Sequence, residues 1–142
     1  MSKVDNEQEL QNKIIQIRYL ENYLTDLVNK ENFIAASLND LENAEATIET
    51  LSKEKSFDTL VYIGGGMYAP SKIDNLSKVL VNVGSNVVIE KSFNDAQTYL
   101  KERKIEVRRA LNELTQQRQQ VAYALQALKE NVENIIKESQ SE

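Results

Sequence analysis

Five charged residues stand where an apolar side chain is due, and the chemistry that four of them, Glu31, Glu45, Lys104 and Arg118, offer is ion pairing. From Leu10 an a/d series in alternating steps of three and four runs Leu10, Lys13, Ile17, Leu20, Leu24, Leu27, Glu31, Ile34, Leu38, Leu41, Glu45, Ile48. A second runs Phe93, Gln97, Leu100, Lys104, Val107, Leu111, Leu114, Arg118, Val121, Leu125, Leu128, Val132, Ile135. Glu31 and Glu45 interrupt the first series; Lys104 and Arg118 interrupt the second. In an antiparallel pair whose opposed positions sum to about 149, Glu31 comes near Arg118 and Glu45 near Lys104. The same fold brings Leu24 near Leu125, Leu38 near Leu111 and Ile17 near Val132. Polar seam residues cost stability but specify register and partner. The surrounding charge agrees: Asp40, Glu42, Glu45 and Glu49 are expected to face Lys101, Arg103, Lys104, Arg108 and Arg109.

Other reactive chemistry is sparse. There is no His and no Cys, which removes most metal sites, most nucleophile–base arrangements and any disulfide framework. Gly64-Gly65-Gly66 lacks the Gly-Lys-Ser/Thr of a phosphate loop, so the three glycines read as a backbone turn. The basic segment Lys101 to Arg109 carries interleaved Glu102 and Glu106 and no aromatic residues, unlike a nucleic-acid surface. A net charge of −5 disfavours nucleic acid and anionic membrane as main partners. No apolar run approaches the roughly 20 residues of a membrane span. The first residues, Met1 to Glu7, lack the apolar core of a signal peptide. The expectation is a soluble, cytoplasmic chain that is not an enzyme and needs no cofactor.

The elements that position the charged residues follow from where helix breakers fall. All four glycines and the single proline of the 142 residues lie between Gly64 and Gly84. The flanks therefore read as two long helices, the first from about Val4 to Lys53 and on the order of 75 Å long at 1.5 Å per residue. Ser92 with Asp95 forms a capping-box variant at the start of the second. Between them, Thr59 to Ile63 and Met67 to Ala69 read as short strands around the Gly triplet. Val79 to Val83 and Asn86 to Glu90 form a second hairpin, with Gly84 suited to the first central position of a type II′ turn. That turn places Val79, Val81, Val83 and Val88 on one face and Leu80, Val87 and Ile89 on the other. Both faces are apolar and an isolated hairpin is marginal in water, so this head must associate with other chains. The fold class is mainly α with a small β head: a long antiparallel coiled-coil hairpin with two β-hairpins at the bend. It reads as a single domain over 1–142, with a first arm at 4–55, a head at 57–91 and a second arm at 92–139.

The order of elements, and above all Val61-Tyr62-Ile63-Gly64-Gly65-Gly66-Met67-Tyr68 and the stretch Lys78 to Ser92, resembles the α-type subunit of prefoldin. Two head hairpins rather than one mark the α class over the β class. In the arms the resemblance rests on heptads alone. It implies an ATP-independent chaperone of the archaeal or eukaryotic cytosol, built from two α-type and four β-type subunits whose heads join into a β-barrel platform. It implies further that the ends of the coiled coils capture non-native polypeptides and deliver them to a group II chaperonin. By that resemblance the segments Thr59–Tyr68 and Lys78–Lys91 are assembly surfaces. The apolar residues expected to carry assembly are Leu60, Val61 and Ile63 in the first hairpin and Val79, Leu80, Val81, Val83, Val87, Val88 and Ile89 in the second.

The client-facing region implied by the resemblance is the free end of the arms, near residues 5–24 and 123–138. Ile14, Ile15 and Tyr19 lie outside the a/d seam of the first arm, and Tyr123 and Ile136 outside that of the second. Together with the seam residues Leu10, Ile17, Leu128, Val132 and Ile135 they form the expected client-binding set. Exposed apolar groups there would bind sequence-tolerantly by burying scattered apolar patches of a client. An alternative is a self-assembling prefoldin-like scaffold or filament, because a two-faced apolar head can propagate heterologously.

Overall fold

The computed structural model describes residues 3–54, 56–74 and 76–141. Along the chain lie α1 (Lys3–Lys53), β1 (Ser56–Gly64), β2 (Met67–Asp74), β3 (Lys78–Gly84), β4 (Val87–Ser92) and α2 (Phe93–Gln140). The protein is mainly helical with a small β head. The expected limit of the first arm at Lys55, and the outermost residues of the expected span, lie outside the described residues. The chain divides into two compact units, one taking the chain up to Ala36 and again from Arg108, the other Ser37–Val107.

The first unit is a pair of helical segments zipped along the a/d seam. Leu27 is 2% exposed and Leu125 and Val132 are buried, while the remaining seam positions of this unit are half-buried. Cross-helix contacts give the direction. Arg118 Nε donates to Glu31 Oε2 at 2.5 Å, Lys129 pairs with Glu21 at 3.3 Å, and Lys13 Nζ donates to Asn131 Oδ1. Partners on α2 rise in number as those on α1 fall, so the segments run antiparallel.

In the second unit the seam continues over Leu38, Leu41 and Ile48 of α1, all half-buried, and over Leu100 of α2, which is buried together with Ala96. Lys104 Nζ donates to Glu45 Oε2 at 2.5 Å. The broader facing of charge blocks is only partly realised. Arg103 turns to Glu106 on its own helix at 3.1 Å, and Glu49 to Lys53 at 3.4 Å, because a neighbour one helical turn away is reached without crossing the seam. Strand β4 passes directly into α2 at Ser92, whose Oγ accepts the Asp95 N–H at 3.1 Å. This satisfies one orphan donor of the first helical turn, as the Ser92/Asp95 spacing predicts.

The head consists of two separate antiparallel hairpins, β1-β2 and β3-β4, and their turns correct the sequence reading. In β3-β4, Asn82 pairs with Val88 but Gly84 pairs with Val87, which leaves Val83 as the extra residue of a bulge. The central turn residues are Ser85 (φ 52°) and Asn86 (φ 59°), and positive φ at both is the type I′ arrangement, not II′. The Asn82 side chain supports the bulge, its Oδ1 accepting the Gly84 N–H at 3.0 Å. Moving the turn on by one residue flips β4 relative to β3. Ile89 therefore lies opposite Val81 and on the face of Val79, whereas Val88 joins Asn82 and Leu80 on the other.

The first hairpin repeats the device. Tyr62 pairs with Tyr68 and Gly64 with Met67, leaving Ile63 as the extra residue, and Gly65 and Gly66 have φ of 59° and 77°. Its strands extend beyond the expected limits, from Ser56↔Asp74 onward. Phe57, Thr59, Ser71 and Ile73 alternate with exposed neighbours and are half-buried.

Candidate assembly and polypeptide-binding surfaces

Directly opposed residues of an antiparallel pair share a face, and alternate residues of a strand share it too. In β1-β2 this puts Leu60, Tyr62, Tyr68 and Pro70 together, and all four are exposed, Leu60 at 63%. The rings of Tyr62 and Tyr68 meet across the strands with centroids 5.3 Å apart and planes tilted by 57°. In β3-β4 the corresponding open face carries Leu80, 70% exposed, and Val88. The other face of β3-β4 is partly covered: Val79 and Val81 are half-buried. Lys91 on that face sets its ammonium 5.5 Å from the centre of the Tyr99 ring on α2.

Of the expected assembly residues, Leu60, Val61, Ile63, Leu80, Val83, Val87, Val88 and Ile89 are thus exposed, and Val79 and Val81 are half-buried. Tyr62 and Tyr68 belong with the open face; they lie within the expected assembly segment Thr59–Tyr68 but not among the apolar residues expected to carry it. Their signal was the symmetric placement about the Gly triplet. The outer edges of both hairpins present strand backbone, which is a template for further pairing.

The expected client-binding residues separate into two groups in the first unit. Ile14, Ile15, Tyr19, Tyr123 and Ile136 are exposed, Tyr123 at 82%. Leu10, Ile17, Leu128 and Ile135 are half-buried in the seam and Val132 is buried, so these five support the surface from beneath. Tyr19 stacks on Tyr23 one turn away, with centroids 6.4 Å apart and planes within 21°. With Ile15 they make an apolar ridge at i, i+4, i+8. Tyr23 was overlooked in the sequence, although its spacing from Tyr19 is the signal. Phe33 is also off the seam and 73% exposed.

Among the described residues no group of three or more acidic, His or Cys side chains could hold a metal ion. Among the described residues, no helix is long and apolar enough to cross a membrane. What the geometry offers is two sets of exposed apolar side chains, one on the β-hairpins and one on the paired helices.

Such a pairing of long helices and small hairpins defines a coiled-coil subunit of the prefoldin class. Residues 20–138 match the prefoldin family, described as Prefoldin subunit. The prefoldin subunit alpha of Nitrosopumilus maritimus is 36% identical over 140 residues, covering 99% of this chain and 94% of that protein. Among solved structures, the prefoldin beta subunit from Thermococcus strain KS-1 superposes with a TM-score of 0.63 at 16% identity, covering 89% of this chain and 90% of that one. The filamentous prefoldin of Methanocaldococcus jannaschii gives 0.56 at 22% identity, with 86% and 96% covered. The chain belongs to the prefoldin family, and the curated relatives it matches include prefoldin alpha subunits.

Proposed function

We propose that this chain is the α-type subunit of a cytoplasmic, ATP-independent holdase that captures non-native polypeptides and delivers them to a group II chaperonin. In this reading it assembles through its hairpins, two copies with four β-type subunits. The observation that carries it is the division of exposed apolar residues into two sets with different surroundings. One lies on open β-faces with free edges, suited to permanent pairing. The other sits on helix surfaces as single residues and one short ridge, suited to transient, sequence-tolerant contact.

The test is to shorten both helices, removing residues 1–18 and 130–142, in the assembled complex. Capture of a chemically unfolded protein should fall while the native mass of the complex, corrected for the deletion, stays the same. Loss of assembly on that truncation would contradict the division of roles.

The open hairpin edges also favour a second reading, a self-assembling scaffold or filament, and one structural neighbour is described as filamentous. The discriminating measurement is the mass of the isolated chain against concentration. A mass that stays finite supports the chaperone subunit, whereas continued growth with concentration supports the scaffold.

A further inference from the structure

The two faces of the β3-β4 hairpin are both apolar in sequence, yet they differ in exposure. Leu80 and Val88 on one face are 70% and 54% exposed. On the other, Val79, Val81 and Lys91 are half-buried, and only Ile89, nearer the turn, stays open. What lies against that face is the start of α2. The Lys91 ammonium is 5.5 Å from the centre of the Tyr99 ring, within cation–π range. Tyr99 is itself half-buried. Ala96, on the same side of the helix as Tyr99 at i, i+3, is 1% exposed. Strand β4 ends at Ser92 and α2 begins at Phe93, so hairpin and helix meet at one junction with no linker between them.

We propose that the first two turns of α2 are an intramolecular cover over the Val79/Val81 face, closed by Lys91 on Tyr99, and that this cover leaves the hairpin one docking face instead of two. A hairpin open on both faces binds a neighbour on each, and such head-to-tail contacts add copies without closing. With one face held under its own helix, only the Leu80/Val88 face is left for a neighbouring head, and growth through this hairpin ends at that contact. The closure is adjustable. A cation–π contact between partly exposed groups tips a balance of two states by a few-fold and does not lock it, and Ser92 is the pivot about which the cover lifts. Lifting it presents Val79 and Val81 as a second apolar face, whose occupant is the hairpin of another copy of this chain. The inference rests on the reading of the hairpins as assembly surfaces and specifies which of their faces take part.

The test uses the full chain, which has no cysteine, with spin labels on Ser85→Cys in the turn and Glu102→Cys on α2, both exposed positions. The distance between the labels should show a closed and an open population. Lys91→Gln with Tyr99→Leu removes the charge and the ring but keeps similar bulk, and should raise the open-to-closed ratio by roughly two- to fivefold. Lys91→Arg keeps a cation over the ring and should leave the ratio unchanged. In the unlabelled chain the double variant should begin to grow in mass at a lower concentration than the unaltered protein. If it loses helix content, Tyr99→Leu alone is measured in the same way and read by the same outcomes. An unchanged distance distribution overturns the clamp. A changed distribution with unaltered mass behaviour overturns the limit on docking and leaves the assembly reading standing. If Leu80→Glu fails to reduce association of the unaltered chain, the assembly reading falls and the inference falls with it.

Discussion

Arg118 reaches across the helical pair of the first unit to Glu31, Nε to Oε2, at 2.5 Å. Lys104 and Glu45 repeat the relationship in the second unit at the same distance, and in both pairs the residue numbers sum to 149. All four side chains are largely withdrawn from water, at 32% and 22% exposed in the first pair and 20% each in the second. A seam built only of Leu, Ile and Val tolerates a shift by one heptad, since each layer then meets another of similar volume. Two half-buried ion pairs at one register do not, because a slip by one heptad leaves all four charges unpaired along an apolar seam.

Reversing one charge tests that role. Glu31→Lys should destabilise the helical pair by about 1–3 kcal/mol, and adding Arg118→Glu should restore part of the loss. Thermal unfolding of the two single variants and the double checks it. Strictly additive effects would mean that the two residues do not act as a pair.

The β3-β4 turn holds two residues that have a Cβ in left-handed backbone, Ser85 and Asn86. Asn86→Gly should relieve part of that strain and stabilise the hairpin by several tenths of a kcal/mol. Gly84→Val, at φ 106°, should do the reverse and disturb the bulge. Amide hydrogen exchange of Val81 and Ile89 reports both outcomes.

This turn also marks where sequence reasoning ran short. The seam was legible because heptad spacing names its positions directly, and the misplaced charges fixed the antiparallel register. The turn was not, because Gly84 suits the start of a II′ loop equally well. What excluded that loop was a bulge at Val83, which leaves no mark in the hydrophobic alternation. One residue of slip was enough to exchange the faces of Val88 and Ile89. The Tyr62–Tyr68 contact was also not read, although the two residues stand symmetrically about Gly65 and pair directly across the strands. In the helical pair, exposure of Ile15, Tyr19 and Tyr123 followed from their off-seam positions. Val132 was counted both as seam and as client surface, and its burial places it in the seam.

That distinction between exposed and buried apolar residues predicts opposite phenotypes. Tyr19→Ala with Tyr123→Ala should reduce capture of an unfolded protein severalfold with little change in melting temperature, since both rings are exposed. Val132→Ala should lower stability by about 1–2 kcal/mol through an underfilled seam. Capture assays and thermal unfolding on both variants check the contrast.

On the head, Leu80→Glu should leave the isolated chain's secondary structure intact, because the Leu80 side chain is already open to water. The same substitution should block association, because it would bury an unpaired carboxylate in the interface. Sedimentation of the variant beside the unaltered protein separates the two effects.

The central claim, that the open hairpins are completed by those of other subunits, is tested most directly by the native mass and stoichiometry of the complex purified from its own cells. The account predicts a six-chain assembly containing two copies of this chain and four of a smaller coiled-coil partner. A stable monomer, or a ring or filament of this chain alone, would contradict it.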